Sequence, residues 1–218
     1  MSSNSVIGVL AIQGDFDAHA RALRRVGANA IEIRRADDLS AIDGLILPGG
    51  ESTTMLKFIE EEGFAGPLTD FAHADKPIFG TCAGAILLAR EVYNPSQASL
   101  GLIDIAVERN AYGRQVDSFI AAVEESFDGR ALEAVFIRAP KIKEFGGNVE
   151  VLARLNGTPV LVRERSIVCS TFHPELTADD RVHRLFVEMV RASSEGKVKP
   201  AERELATKTL RHEGTPSR

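Results

Sequence analysis

Val6 to Ile12 is a run of apolar residues broken only by Gly8 and stopped by Gln13-Gly14-Asp15. Such a run, without polar alternation, reads as a strand buried on both faces, and its natural home is a parallel sheet covered by helices on each side. From Phe16 to Val26 the pattern turns helical, with Phe16, Ala20, Leu23 and Val26 on one face and Arg21, Arg24 and Arg25 on the other, before Gly27 ends it. Ala30 to Ile33 is a second strand and Leu39 to Asp43 a polar link. Gly44 to Leu47 is a third strand, running into Pro48-Gly49-Gly50-Glu51-Ser52. This β-α-β-β order predicts an α/β fold in three layers, a mainly parallel central sheet flanked by helices, with functional residues beyond the carboxyl ends of strands.

The chain continues with a helix from about Thr53 to Glu62, capped by Ser52 or Thr53, and a short helix from Gly66 to Ala74. Pro77 to Phe79 is the next strand, Ala83 to Val92 an apolar helix and Gly101 to Glu108 a strand. From Ser118 the punctuation becomes strand-like, with runs at Phe119–Val123, Ala134–Arg138, Val149–Leu155, Val160–Arg163 and Ile167–Thr171. Asn156-Gly157 between two of them is a hairpin signal. These runs predict antiparallel strands added to the sheet edge. Asp179 to Ala192 is an amphipathic helix, with Val182, Leu185, Phe186, Met189 and Val190 on one face. Residues 1–194 thus read as one domain. The polar composition of residues 195–218 predicts a mobile tail, with a docking helix around Glu202 to Leu210 as the alternative.

Composition limits the partners. With 218 residues, 44% hydrophobic and 26% charged, the chain can bury a core of ordinary size. A formal net charge of −5 and no basic stripe disfavour nucleic acid. No stretch of about 18 apolar residues points to a membrane span, and the N-terminus lacks a basic leader. The two cysteines, Cys82 and Cys169, form neither a disulfide framework nor a metal-binding Cys-x-x-Cys pair. Both read as reduced thiols of a cytoplasmic protein, with no metal or cofactor implied.

Cys82 is the reactive candidate. In Lys76-Pro77-Ile78-Phe79-Gly80-Thr81-Cys82-Ala83-Gly84 it sits where a strand turns sharply into a helix, and the small Gly80, Ala83 and Gly84 offer clearance for a substrate. A helix start also favours thiolate. The bland alternative is a buried cysteine filling space. In Pro48-Gly49-Gly50-Glu51-Ser52 the paired glycines can turn N–H groups towards an oxyanion, or can form a plain turn before a helix. The loop after Glu108 carries Arg109 and Arg114, either a carboxylate clamp or solvated surface charge. In Phe172-His173-Pro174-Glu175, extended geometry turns His173 and Glu175 the same way, so the carboxylate can set the imidazole tautomer. His19, His73, His183 and His212 read as structural or solvated.

Gly-x-Cys-x-Gly with a downstream His-Pro-Glu resembles the class I (triad) glutamine amidotransferases, whose fold is flavodoxin-like. Further blocks narrow the resemblance: Leu10-Ala11-Ile12-Gln13-Gly14, Leu47-Pro48-Gly49-Gly50-Glu51-Ser52-Thr53-Thr54-Met55, Glu108-Arg109-Asn110, Gly113-Arg114-Gln115-Val116-Asp117-Ser118-Phe119 and Phe136-Ile137-Arg138-Ala139-Pro140. Over about residues 6–192 the chain is similar to the glutaminase subunits of pyridoxal 5′-phosphate synthase. Ile86, where many class I members carry glutamine, fits that branch, while Ala85 replaces a larger apolar residue common in it.

The resemblance implies Cys82 as nucleophile, His173 as base and Glu175 as its orienter. It implies glutamine binding by Gly50, Glu51, Ser52, Arg109, Ile137 and Arg138, and an oxyanion hole at the Gly50 and Ala83 backbone. Gln13 and Gly49 would take part in partner-linked activation, and the partner would be a barrel-shaped synthase subunit that receives the ammonia. The glutaminase of imidazole glycerol phosphate synthase and a catalytically silent regulatory subunit are the alternatives. An intact Cys82, His173 and Glu175 speaks against the silent one.

Overall fold

The computed structural model describes residues 5–109 and 118–196. The chain starts with β1 (Val6–Leu10), α1 (Phe16–Arg25) and β2 (Asn29–Ile33), followed by a 3-10 turn at Ala36–Ala41 where the sequence reads only as a link. Then come β3 (Gly44–Leu47), α2 (Ser52–Glu61), α3 (Ala65–His73), β4 (Ile78–Thr81), α4 (Ala83–Leu88), β5 (Ala89–Tyr93) and β6 (Ile103–Glu108). The later strands are β7 (Ser118–Val123), β8 (Glu125–Ser126), β9 (Leu132–Ile137), β10 (Lys141–Phe145), β11 (Glu150–Leu155), β12 (Thr158–Glu164) and β13 (Ile167–Ser170). A 3-10 turn at Pro174–Leu176 leads to α5 (Arg181–Gly196), which runs two residues past the predicted boundary at 194.

Among the described residues the main sheet has eight strands in the order β2-β1-β3-β4-β13-β12-β11-β8. The pairings from β2 to β13 are parallel and those from β13 outward antiparallel. The three-layer prediction holds. Two apolar cores lie on the two sides of the sheet. One joins Leu47, Met55, Ile59, Phe64 and Leu87, and the other joins Leu23, Phe79, Phe172, Phe186 and Val190. In α5, Val182, Phe186 and Val190 are fully buried, as the amphipathic pattern requires.

Three expectations need correction. The helix predicted for Ala83–Val92 stops at Leu88, and Ala89–Tyr93 is a strand. A buried apolar run carries no period by which helix and strand can be told apart. The later strands do not all join the sheet edge either. β5, β6 and β10 form a separate three-stranded sheet, and β7 pairs with β9 in a two-stranded ribbon. Lastly, α2 is capped by Glu51, whose carboxylate accepts the N–H groups of Thr53 and Thr54 at 3.1 and 2.7 Å, displacing Ser52 and Thr53 from that role. The Asn156-Gly157 hairpin is present between β11 and β12, both turn residues having positive φ. Residues 197–218, with the predicted tail and its alternative helix, and most of the loop carrying Tyr112 and Arg114, lie outside the described residues.

Candidate active site

The parallel order β1-β3-β4-β13 brings four strand ends side by side. β1 delivers Gln13 and Gly14, β3 delivers Gly49 and Gly50, β4 delivers Cys82, and β13 leads through Thr171 and Phe172 to His173. Cys82 is locked at the end of its strand by its N–H to the Ser170 carbonyl, at 2.9 Å. Its φ of 47° and ψ of −101° form a strained elbow for a residue with a Cβ. The next carbonyl-to-amide bond, Ile86 N–H to Cys82 C=O, starts α4 and leaves the N–H of Ala83 outside the helical ladder.

The glycines around Cys82 serve a different purpose from the one predicted. A Cβ on Gly84 would lie 2.0 Å from the Leu47 carbonyl oxygen, and one on Gly80 would lie 2.8 Å from the Gly84 carbonyl carbon. They let α4 pack against β3 and β4 and so fix the elbow; clearance for substrate comes from elsewhere. Gly49 makes room for the imidazole of His173: a Cβ there would sit 2.4 Å from its Cε1. The Gly49 carbonyl in turn lies against Gly14, where a Cβ would approach it to 1.7 Å. Gln13 packs beside Gly50, and its Oε1 is buried without a hydrogen-bond partner among the described residues.

His173 and Glu175 meet as predicted, Nδ1 to Oε1 at 2.7 Å, though on the entry to a 3-10 turn and not on an extended strand. Burial works against a charged imidazole, but the Cys82 sulfur and the Glu175 carboxylate outweigh it and raise His173 to about 10. His173 Nε2 has no hydrogen-bond partner of standard geometry among the described residues, and it faces the thiol side. The Cys82 sulfur is 3.8 Å from the carbonyl oxygen of Ile137, at the end of β9. Arg138, next in the chain, has φ of 43°, so the strand end is turned sharply at the site.

A pocket of about 210 Å³ opens over Cys82 and His173. Gly50, Glu51, Ser52, Arg109, Ile137 and Arg138 all line it, as do Gly14 and Gly49. That is smaller than the roughly 300–1,000 Å³ of pockets for drug-sized ligands, and it suits a compact molecule. Arg109 Nη2 is 3.5 Å from Glu51 Oε1 and 3.3 Å from Thr53 Oγ1, which aims the guanidinium at the rim. Glu51 itself is held at about 2, burial being outweighed by the Thr54 and Thr53 donors. Ile86 lines the floor, and Ala85 is fully buried behind it.

Sequence reasoning missed two kinds of residue. Gln97 accepts the Ser52 hydroxyl at 3.0 Å and the Thr53 hydroxyl at 3.3 Å, bracing the glycine loop from outside. His19 and His183, read as structural or solvated, are fully buried behind Glu175. Only the spacing of His19 five residues after Gly14, one helical turn past the glycine corner, could have hinted that it faces the site.

A family profile described as "SNO glutamine amidotransferase family" matches residues 9–192. The chain is 54% identical over 190 residues to the "Pyridoxal 5'-phosphate synthase subunit PdxT" of Koribacter versatilis, covering 87% of this chain and 98% of that protein. To the protein of the same name from Thermotoga petrophila it is 51% identical, covering 85% and 99%. A solved structure titled "Crystal structure of glutamine amidotransferase" superposes with a TM-score of 0.79 at 48% identity, over 84% of this chain and 98% of that one. A structure described as a putative GMP synthase subunit from Thermoplasma acidophilum, at 20% identity and a TM-score of 0.65, shares the fold.

Proposed function

The chain belongs to the SNO glutamine amidotransferase family, and from that premise we propose that it is the glutaminase subunit of a pyridoxal 5′-phosphate synthase, hydrolysing L-glutamine at Cys82. The observation that supports this best is the junction of adjacent strands β4 and β13, which delivers a cysteine elbow and a carboxylate-held histidine to one pocket. The ammonia passes to a synthase subunit. Free in neutral water it would be protonated and lose its nucleophilic lone pair, so direct transfer preserves it.

The residues divide the work. Arg109 takes the substrate carboxylate, and the Ile137 carbonyl, which already accepts from the thiol, is placed to receive an N–H donor of the substrate. Cys82 gives its proton to His173 Nε2 as its sulfur attacks the side-chain amide carbon, the C=O π pair moves to oxygen, and backbone N–H groups at Gly50 and Ala83 hold the oxyanion. His173, protonated on Nε2, gives that proton to the departing nitrogen, which leaves as ammonia with the C–N bond pair. A water then attacks the thioester while His173 takes its proton, the C–S bond breaks, and glutamate leaves. In this reading Gln13, beside Gly50, and Gly49, beside Gly14, reset the oxyanion loop when the partner docks. Both cysteines are free, and the reaction needs a reduced thiol, which fits the cytoplasm. No helix among the described residues is long and apolar enough to cross a membrane.

The test mixes this chain with the synthase subunit and follows pyridoxal phosphate formed from glutamine, with an ammonium salt as bypass. Glutamine is expected to replace ammonium, and Cys82→Ala to abolish the glutamine route while leaving the ammonium route intact. Glutamine hydrolysis surviving Cys82→Ala would remove Cys82 from the mechanism, and failure of glutamine to replace ammonium would remove the pathway.

A further inference from the structure

Behind the triad, in a layer that solvent does not reach, lies a chain of polar side chains for which the mechanism above has no use. His19 Nε2 is 3.4 Å from Glu175 Oε2 and 3.2 Å from Thr81 Oγ1, and His19 Nδ1 is 3.0 Å from His183 Nε2. His19, Thr81 and His183 are each 0% exposed, and the Phe79 ring packs edge-on against both imidazoles. We propose that His19 is a positioning residue for the triad: as a neutral imidazole protonated on Nε2, it turns its N–H to the Glu175 carboxylate and accepts the His183 N–H on Nδ1. Glu175 Oε1 is thereby held on His173. The role rests on the glutaminase reading, since it acts on that reaction's base.

The tautomers follow from what a buried group tolerates. Were Nε2 of His19 bare, its lone pair would face a carboxylate oxygen at 3.4 Å with no water between to relieve it. Protonated there, the same nitrogen offers its hydrogen to Glu175 Oε2, which has no partner of standard geometry, and shares it with the Thr81 hydroxyl oxygen. Nδ1 is then bare and must accept, so His183 carries its proton on Nε2. That leaves His183 Nδ1 bare and without a partner among the described residues, the less costly state for an orphan, since buried unpaired N–H groups are the rarer of the two. Every donor in the row then points towards the same carboxylate. His183 Nε2–H reaches His19, His19 Nε2–H lies between the Thr81 hydroxyl at 3.2 Å and Glu175 Oε2 at 3.4 Å, and His173 Nδ1–H reaches Glu175 Oε1.

Charge supports this order. Burial lowers His19, with Glu175 and Asp15 opposing and His173 assisting, and burial lowers His183 to about 3, with His19 and Arg25 assisting. A cationic His19 would compete with His173 for the carboxylate. Burial keeps it neutral, so what reaches Glu175 is an N–H dipole that fixes the oxygen without neutralising it. Glu175 remains the anion that His173 needs.

Selectively 15N-labelled histidine in the full wild-type chain reports the tautomers directly. His19 is expected as the neutral Nε2–H form at neutral pH, and an Nδ1–H or doubly protonated His19 overturns the proposal. Kinetics with the synthase subunit test the consequence. His19→Leu is expected to lower kcat for glutamate release about 10- to 100-fold with KM within about twofold, and to move the alkaline limb of the pH profile down. His19→Gln, whose side-chain N–H reaches the Nε2 position, recovers most of the loss. A folded His19→Leu with wild-type kcat and pH profile, or a His19→Gln no better than the leucine variant, overturns it. If His19→Leu does not fold, the wild-type tautomer decides. A wild-type complex that releases no glutamate refutes the glutaminase reading alone, because the tautomer measurement stands apart from activity.

Discussion

His173 lies between two groups that favour its charged form, and its stability contribution therefore depends on pH in a way that can be worked out by sign. Glu175 is lowered from 4.5 to about 2, burial being outweighed by His19 and His173, so its contribution is complete above about 4.5 and fades as pH falls towards 2. His173 is raised from 6.5 to about 10, so its contribution is complete below about 6.5 and fades as pH rises through 10. Urea unfolding of wild type against Glu175→Gln should show the largest stability difference between about pH 4.5 and 6.5. A difference flat across the range would mean that no ion pair is present. The same substitution should lower the alkaline limit of glutamate release, since an imidazolium without its carboxylate loses its proton earlier. For Arg109, held on the rim by Glu51 and Thr53, Arg109→Ala should raise KM for glutamine by about tenfold or more while kcat changes less. A fall in kcat alone would place the guanidinium away from the substrate's charged end.

Elements explain why some of this could be read from residues and some could not. The strand-to-helix corner at Cys82 and the Asn156-Gly157 turn are local, fixed by neighbours in the chain, and both were legible. The break at Leu88 was not, because Ala83–Val92 is apolar throughout and a buried strand looks like a buried helix. The His19–His183 contact spans 164 positions, and no pattern in either helix announces it. The glycines show the same division. Gly27 closes α1 with φ of 72°, its N–H on the Arg24 carbonyl and that of Ala28 on the Leu23 carbonyl, and nothing lies within 4 Å of a Cβ there. Gly27→Ala should cost about 1 kcal/mol of stability through backbone strain alone and leave glutaminase activity unchanged. Gly84 has an ordinary backbone but no room, since a Cβ would strike the Leu47 carbonyl. Gly84→Ala should cost more than about 2 kcal/mol and, by moving α4, also reduce kcat. Equal behaviour of the two variants in chemical unfolding and in glutamate release would contradict this reading of Gly84.

At the scale of the whole molecule, the working parts close on themselves before the chain ends. The family match stops at residue 192, and 98% of the Koribacter versatilis protein is accounted for by 87% of this chain. In α5, the fully buried residues are Val182, His183, Phe186 and Val190, and from Arg191 to Gly196 no side chain is fully buried. The helix thus finishes covering the sheet at Val190, while His183, on the same buried face, ends the row of imidazoles behind Glu175. The core and the triad described above are built from residues up to Val190, and we expect a chain ending at Gly196 to melt within about 2 °C of the full chain. Glutamine-dependent pyridoxal phosphate formation with the synthase subunit should be retained at the same ratio to the ammonium-driven rate. A truncated chain that keeps its melting temperature and its ammonium route but loses the glutamine route would instead give residues 197–218 a part in docking or ammonia transfer. The melting transition separates that outcome from simple loss of folding, because both leave the ammonium route of the synthase subunit untouched and only a chain that fails to fold loses its transition.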